Sequence, residues 1–315
     1  MAIPGTPQAI ETTQTVEYRL AVTYELNEKP GKLDILCGSR GSYSDKMAQI
    51  EDRFDDLVAE ERTERNADTR NTDMDVTRRW IMKPRPKDVS PLLDRTDMAT
   101  TKLDLKSPAS VQTAKAIRRA HDDAVIAGFF GNAWVGAGEN SLSSVPFKSA
   151  NIMAADYGAG AATGLTLEKL IGMQQMMEAA LVDMEEEQPI ILITSKQKAD
   201  LLRINQVQSR DYNPLLQQAL QTGKVADFMG FRFLQTEFGN QKAYPKSFNL
   251  SVPTAGQRAL PVLVPSAMHR GSWEEFFGRV SERADKSYSW QIYGETCVAA
   301  TRVNEDKAFQ ILVTE

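Results

Sequence analysis

Residues 117–138, IRRAHDDAVIAGFFGNAWVGAG, set a histidine beside two aspartates and then run into a glycine-rich turn. The stretch could be a metal or general-base cluster, a phosphate cradle, or the end of a structural helix. Helical spacing decides among them. Arg118 faces Asp122 and Arg119 faces Asp123 at i, i+4, so each aspartate is expected to have a cationic neighbour. His121 falls on the opposite face, flanked at i−4 and i+4 by Ile117 and Val125, where a metal site would need another ligand. The only other histidine, His269, has no Cys or His near it in sequence. The cluster reads as the packed face of a helix, with His121 buried or at an interface.

Upstream, Ser107 at N-cap and Pro108 at the first helical position predict a helix over 107–128. Its apolar face is Val111, Ala114, Ile117, His121, Ala124 and Val125. Downstream, 131–164 is a loop region rich in Gly, Ser and Ala, followed by a long helix capped by Thr166 and running toward the acidic DMEEE at 183–187. PIILITSKQKADLL then reads as a buried strand followed directly by a helix. FMGFRFLQT, RALPVLVP, SYSWQIYG and KAFQILV have strand composition, the last entered through the turn Asn304-Glu305-Asp306.

Toward the N-terminus, breakers at Pro4, Pro7, Pro30-Gly31, Gly38 and Gly41 give residues 1–43 the character of an extended arm, with one strand over VEYRLAVTYEL. Met47, Ile50, Phe54, Leu57 and Val58 predict a short helix capped by Ser44. Residues 61–106 are dense in charges of both signs, with Trp80, Ile81, Met82, Leu92 and Leu93 as apolar anchors. Such an excursion suits a projecting hairpin that packs on another subunit.

Composition narrows the function classes. The length of 315 residues, 42% hydrophobic and 25% charged, suits a soluble globular protein. A net charge of −5 gives no global footprint for gripping nucleic acid. The N-terminus has no basic and apolar run of a secretory signal, and runs such as IILI are too short to span a bilayer. Cys37 and Cys297 match no metal-finger spacing and are expected as free thiols in a reducing compartment. GAGAATG at 158–164 looks like a phosphate turn, but its third glycine is one position late and no clear strand precedes it. Ser195 lacks the glycines of a nucleophile elbow. No catalytic, cofactor or metal residues are assigned, and the chain does not read as an enzyme.

Taken in order, these elements resemble the major capsid proteins of tailed double-stranded DNA bacteriophages with the Hong Kong 97 fold. The residues that carry the likeness are IAGFFGNAWVGAG ending the first helix, Thr194 to Leu201 across the strand–helix junction, Gly230-Phe231-Arg232-Phe233, and the turn Asn304-Glu305-Asp306. The resemblance covers about two thirds of the chain, since it runs from Ser107 to Glu315. It implies an α+β fold with an N-terminal arm and short helix over 1–60, an E-loop over 61–100, and a peripheral P domain over 101–188 whose spine helix is 107–128. An axial A domain over 189–286 and a return to the P domain over 287–315 complete it.

The resemblance further implies a structural subunit of an icosahedral shell that assembles with itself into hexamers and pentamers. The shell would enclose double-stranded DNA without sequence-specific binding, form in the host bacterial cytoplasm and end as the virion capsid. Its partners would be a portal protein and, for want of a charged helical scaffolding segment, a separate scaffolding protein; the sequence leaves a decoration protein open. No cofactor or membrane is implied. Arg78, Arg79, Trp80, Ile81, Met82 and Lys83 are the expected inter-subunit contacts of the E-loop. Lys83 and Lys87 lie there too, but no motif carries over the covalent cross-link of the family's founding member. An encapsulin-like nanocompartment shell is the alternative, disfavoured by the long route to the spine helix, and an α/β nucleotide-binding enzyme a weaker one.

Overall fold

A computed structural model describes residues 32–54, 59, 61, 65, 76–94, 106–138, 141–184, 186–203 and 227–315. The strand expected over VEYRLAVTYEL, and Leu57 and Val58 of the expected short helix, lie outside the described residues.

The architecture is α+β, built on three sheets. The central one has six strands: β8 (Ile152–Met153), β9 (Ile190–Ile193), β10 (Asp227–Phe228), β11 (Phe231–Gln235), β12 (Gln257–Leu263) and β15 (Ala308–Thr314), in the order β10-β11-β9-β12-β15-β8. β9 lies inside the sheet, with β11 parallel on one edge and β12 antiparallel on the other, and all four of its side chains, on both faces, belong to the main core. Helix α2 (Leu167–Ala179) contributes Leu170, Met173 and Met177 to this core, and helix α3 (Ser195–Arg203) contributes Leu201. Thr166 caps α2 as expected, its hydroxyl accepting from the Lys169 N–H.

The second sheet is organised by a long antiparallel hairpin, β13 (Met268–Arg283) and β14 (Ser289–Arg302), joined through residues 284–288. β1 (Ser39–Ser42) pairs in parallel with β13, while β4 (Lys87–Val89) and β5 (Leu92–Leu93) pair with β14. Helix α1 (Lys106–Phe130) lies along β14. Glycines allow the approach. A Cβ on Gly128 would sit 2.2 Å from Ala300 O, and one on Gly294 would sit 2.8 Å from the Thr113 methyl. A short helix α4 (Pro245–Leu250) packs on the other side of α1.

The third sheet, β2 (Met47–Phe54), β3 (Val76–Met82), β6 (Ala133–Val135) and β7 (Ser143–Val145), has the order β2-β3-β6-β7. It overturns the short helix expected after Ser44. Residues 47–54 are a strand that pairs with β3 from Met47↔Met82 to Phe54↔Val76. The spacing misleads because a bulge at Ile50 adds a residue between Gln49↔Trp80 and Glu51↔Arg79, which breaks the period-two signal of a strand. Pairing with a distant strand then overrides local propensity.

Three boundaries also move. The first helix already runs at Lys106, so Ser107 lies inside it, and Pro108 falls in the first turn where its missing N–H costs little. The strands that pair here are 47–54 and 76–82, the first of them ahead of the segment expected at 61–100. The division expected at 286 cuts the β13–β14 turn: β13 belongs with β14, whereas β15 pairs with β12 in the sheet of β9. A compositional break at a turn looks like a domain boundary when the strand partners are distant in sequence.

The α1–β14 approach gives a direct test. Gly128→Ala forces a methyl onto backbone that cannot yield, and should cost about 2–4 kcal/mol. Gly138→Ala meets nothing within 4 Å and should change stability by less than about 0.5 kcal/mol. Denaturant unfolding of both variants checks the difference.

Candidate functional site

The root of the β2–β3 hairpin gathers the six residues expected to make inter-subunit contacts, and divides them. Alternation along β3 turns Arg79 (6% exposed) and Ile81 (2% exposed) inward. Ile81 meets β13 so closely that a Cβ on Gly271 would lie 2.8 Å from its Cδ1. These two are part of the subunit's own packing. Trp80 is half-buried on the other face, where it pairs with Trp134 across strands and its Nε1–H donates to Gly136 O at 2.9 Å. Met82 is also half-buried, while Arg78 and Lys83 are exposed. Arg78 donates to Ala137 O at 3.1 Å, and the Lys83 N–H closes the ladder on Lys46 O at 2.9 Å.

Arg79 is held by Glu305, and Glu305 ties three parts of the molecule together. Its Oε1 accepts from Arg79 Nη1 at 3.4 Å and its Oε2 from Arg302 Nε at 2.8 Å. Arg302, fully buried, also donates to Phe129 O and Gly131 O, carbonyls at the C-terminal end of α1. Its guanidinium lies 4.9 Å from the Phe147 ring centroid. Asn151 Nδ2 donates to Glu305 O at 2.7 Å and Ala308 O at 3.0 Å, which fixes the entry to β15. Sequence reading sees the turn at Asn304–Asp306 but gives no sign that Glu305 is buried. The i, i+3 spacing of Arg302 and Glu305 was the available signal.

Past Arg79 the third sheet thins. β6 meets β3 at Arg79↔Val135 and Trp80↔Trp134, the Gly136 N–H donates to Arg78 O at 3.3 Å, and Val76 beyond has β2 as its strand partner among the described residues. Val76 is 46% exposed there.

The His-Asp-Asp cluster is packed, with partners other than those expected. Thr296 spends its one proton on Glu275 O at 2.8 Å, so at 2.7 Å it accepts from His121 Nε2–H. Burial, helped by the nearby Arg270 charge, holds His121 down at about 4. Asp122 accepts from the Leu33 N–H at 3.2 Å, and burial pushes its carboxyl up to about 6. Asp123 takes its cation from Lys87 at 2.8 Å, not from Arg119, and accepts from the Ser247 N–H and hydroxyl. Burial would raise its carboxyl, but these hydrogen bonds outweigh it and hold the group below the usual range. His269 bridges Ser39 and Tyr43 at 2.7 and 2.9 Å and is also held down at about 4 by burial. Cys37 and Cys297 are both buried free thiols. Among the described residues, no group of three or more His, Cys, Asp or Glu is placed to hold a metal ion.

The GAGAATG loop has the wrong polarity for a phosphate. Thr163 O and Gly164 O accept from the buried Lys169 ammonium at 2.8 and 2.9 Å, with Leu312 O at 3.2 Å. The Leu165 N–H that follows is engaged by Asp200 at 3.3 Å. A phosphate cradle turns N–H groups inward; this loop turns carbonyls onto a lysine.

With this geometry fixed, comparison with known proteins identifies the family. A family model described as phage capsid protein matches residues 10–315. No curated protein matches the chain. Among solved structures, the capsid of cyanophage P-SCSP1u is similar with a TM-score of 0.65 and 14% identity, covering 89% of this chain and 87% of that one. The capsid of a native GTA particle is similar at 0.61 with 13% identity and 91% of each chain covered. A structure from Mycobacterium phage Che8 is similar at 0.61 with 11% identity and 85% of each. The fold is Hong Kong 97-like.

Two outcomes test the site. Glu305→Ala leaves two buried guanidiniums without their carboxylate and should cost about 3–5 kcal/mol; a loss below about 1 kcal/mol in denaturant unfolding would remove Glu305 from its central role. The second is a pH dependence. Unfolded histidine takes its proton near 6.5, whereas folded His121 and His269 do so only near 4, so each costs stability as pH falls through that window. Asp122, raised to about 6 in the folded state, works in the opposite direction over nearly the same range. Two histidines against one aspartate leave a net loss on the order of 3 kcal/mol between pH 6.5 and 4. His121→Gln with His269→Gln should flatten or reverse that slope in unfolding measured across pH.

Proposed function

The chain belongs to the phage capsid protein family and is a structural subunit of a phage capsid, and from that premise we propose that its β2–β3 hairpin is the E-loop, an arm whose outer part grips a neighbouring subunit. The observation that carries this is the contrast along the hairpin. Its root is welded into the subunit through Arg79–Glu305, Ile81 and Trp80 and is still joined to it at Arg78, whose O accepts from the Gly136 N–H at 3.3 Å, while Val76 beyond is 46% exposed and has β2 as its strand partner among the described residues. In this reading α1 is the spine helix, the sheet of β13 and β14 is the P domain, and the six-stranded sheet is the core of the A domain.

The subunits assemble into a shell. Hexamers and pentamers enclosing double-stranded DNA, a separate scaffolding protein and a portal protein, and assembly in the bacterial cytoplasm complete the proposal. A net charge of −5 suits a lumen that must not trap the genome, because affinity for DNA rises with the number of phosphates neutralised. The role is structural, with no catalysis assigned to the chain. Family membership favours a genome container over an encapsulin-like compartment, and the carbonyl-lined GAGAATG loop argues against a nucleotide site.

Hydrogen exchange tests the clamp. Amides of Val76–Arg78 should exchange fast in free subunits and slowly in particles, whereas those of Ile81 and Met82 should be protected in both. Equal protection of 76–78 in the two states would sink the reading. Arg78→Glu should leave subunit stability within about 0.5–1 kcal/mol and impair assembly in a salt-dependent way. Trp80→Ala, by contrast, should destabilise the subunit itself by about 2–3 kcal/mol, since Trp80 packs within its own chain.

A further inference from the structure

Helix α1 packs with one face and leaves part of the other uncovered. Thr113, Ala114, Ile117 and His121 turn toward β14, where Thr113 and Ile117 meet Gly294 and His121 meets Thr296. Gln112, Lys115 and Arg119, at i, i+3 and i+7, form a row on the side away from β14, and all three are exposed. The next member of that row is Asp123, one turn on, but its charge is already spent. Asp123 is buried and engaged by Lys87 and Ser247. Arg119 Nε donates to Lys115 O, and neither side chain has an ion pair with a described residue.

Two further cations arrive with α4. Ser247 anchors that helix on α1, its N–H at 2.9 Å and its hydroxyl at 2.7 Å from the Asp123 carboxylate, one turn along from Arg119. Tyr244 lies within reach of the same arginine: burial and Asp122 push its hydroxyl up to about 12, and the Arg119 charge pulls against that rise. Lys242 and Lys246 flank Tyr244 in sequence, are exposed, and have no ion pair among the described residues. Lys87 reaches the same turn of α1, its Nζ 3.4 Å from Ala120 O and 2.8 Å from Asp123. Glu237, the exposed acid that also acts on Tyr244, is held by the Ser195 N–H at 2.9 Å and by the Ser195 hydroxyl. In a chain of net charge −5, Lys115, Arg119, Lys242 and Lys246 gather without a carboxylate to pair them.

What such a row recognises follows from what it lacks. The α1 row has no large apolar side chain: Gln112, Ala116 and Ala120 are what accompany its cations. A protein partner would need aromatic or apolar anchors to bury, whereas a phosphate backbone is held by cations alone. From Gln112 to Arg119 the helix runs about 10 Å, enough to meet two or three phosphates of one strand. We propose that this face of α1 and α4 is turned to the lumen and touches the phosphates of the packaged duplex. The inference rests on reading the chain as a genome container and names the surface that meets the genome. Neutralising about four phosphates gives a log–log salt slope near −3.6, so affinity falls on the order of a hundredfold between 50 and 200 mM salt. Such a contact orders DNA against the wall and still releases it.

Two measurements decide it, and the first needs no variant. In particles made by the full chain with its neighbouring genes, an amine-acetylating reagent should modify Lys115, Lys242 and Lys246 several-fold less in DNA-filled shells than in emptied ones. In free subunits, fluorescence anisotropy should show a short DNA duplex bound without sequence preference. Lys115→Gln with Arg119→Gln should lessen the salt slope of that binding by about 2, and Lys242→Gln with Lys246→Gln by about the same. Arg232→Gln with Arg279→Gln, which removes two exposed cations elsewhere, should leave the slope unchanged. Equal modification of the three lysines in filled and emptied shells would overturn the proposal and leave the container standing. Shells that carry no double-stranded DNA would bring down the container and the proposal with it. Protection that follows a co-sedimenting protein and not the DNA, with the slope unmoved by the α1 and α4 variants, would assign the face to that protein and overturn the proposal as well.

Discussion

The carboxylate of Glu305 is shared by two arginines from different parts of the chain, and that sharing is what holds the three sheets in one frame. Arg79 comes from the hairpin sheet, and Arg302 from the last residue of the long β13–β14 hairpin. Arg302 also reaches the C-terminal carbonyls of α1, and the backbone at Glu305 leads directly into β15 of the six-stranded sheet. Replacing a buried ion pair by a well-packed apolar group is often neutral or stabilising, so charges at this junction are poorly explained as a source of stability. What they supply is direction. A carboxylate with two donors fixed in space admits one arrangement of the elements that carry them, whereas an apolar contact tolerates sliding.

The α1–β14 contact complements that junction. Gly128 brings helix backbone against the Ala300 carbonyl, and Gly294 brings strand backbone against Thr113 and Ile117, so the helix is seated at two points on the order of 20 Å apart, from Thr113 to Gly128 along the helix and from Gly294 to Ala300 along the strand. Between them, Thr296 relays the His121 N–H to Glu275 O, in the bulged part of β13. The residues that first suggested catalysis, His121 with Asp122 and Asp123, therefore join a helix to β14, to the Leu33 backbone, and to Lys87 and Ser247. Buried polar groups must be satisfied somewhere, and here each is satisfied by a different element.

What could be read from the sequence follows from the range of each signal. The Thr166 cap, the buried strand before Ser195 and the turn Asn304–Asp306 are local, and each has its determinants within a few residues. The β2 strand is not local. Its partner lies some thirty residues on, and the bulge at Ile50 erases the alternation that would have revealed it. The Glu305 junction is still less legible, because the Arg79–Glu305 separation of 226 residues leaves no trace in either neighbourhood. The six hairpin residues expected at an interface were found by composition alone, which cannot tell Arg79 and Ile81, turned inward, from Arg78 and Lys83, turned out.

That inward and outward division explains how a charged arm can be both placed and adaptable. A ribbon anchored along its whole length would add to the subunit's own stability but could not adjust to a neighbour; a ribbon free along its whole length would lose its direction and the affinity that preorganisation gives. Here the inward residues Arg79 and Ile81 fix the root, the Trp80–Gly136 and Gly136–Arg78 bonds fix its face, and at Val76 β2 is the strand partner among the described residues. Local stability thus falls along the arm, from buried ion pair to exposed ladder, within four residues. In the proposed clamp the outer strand would settle on another subunit without disturbing Glu305, because the junction that sets its direction is already complete within one chain.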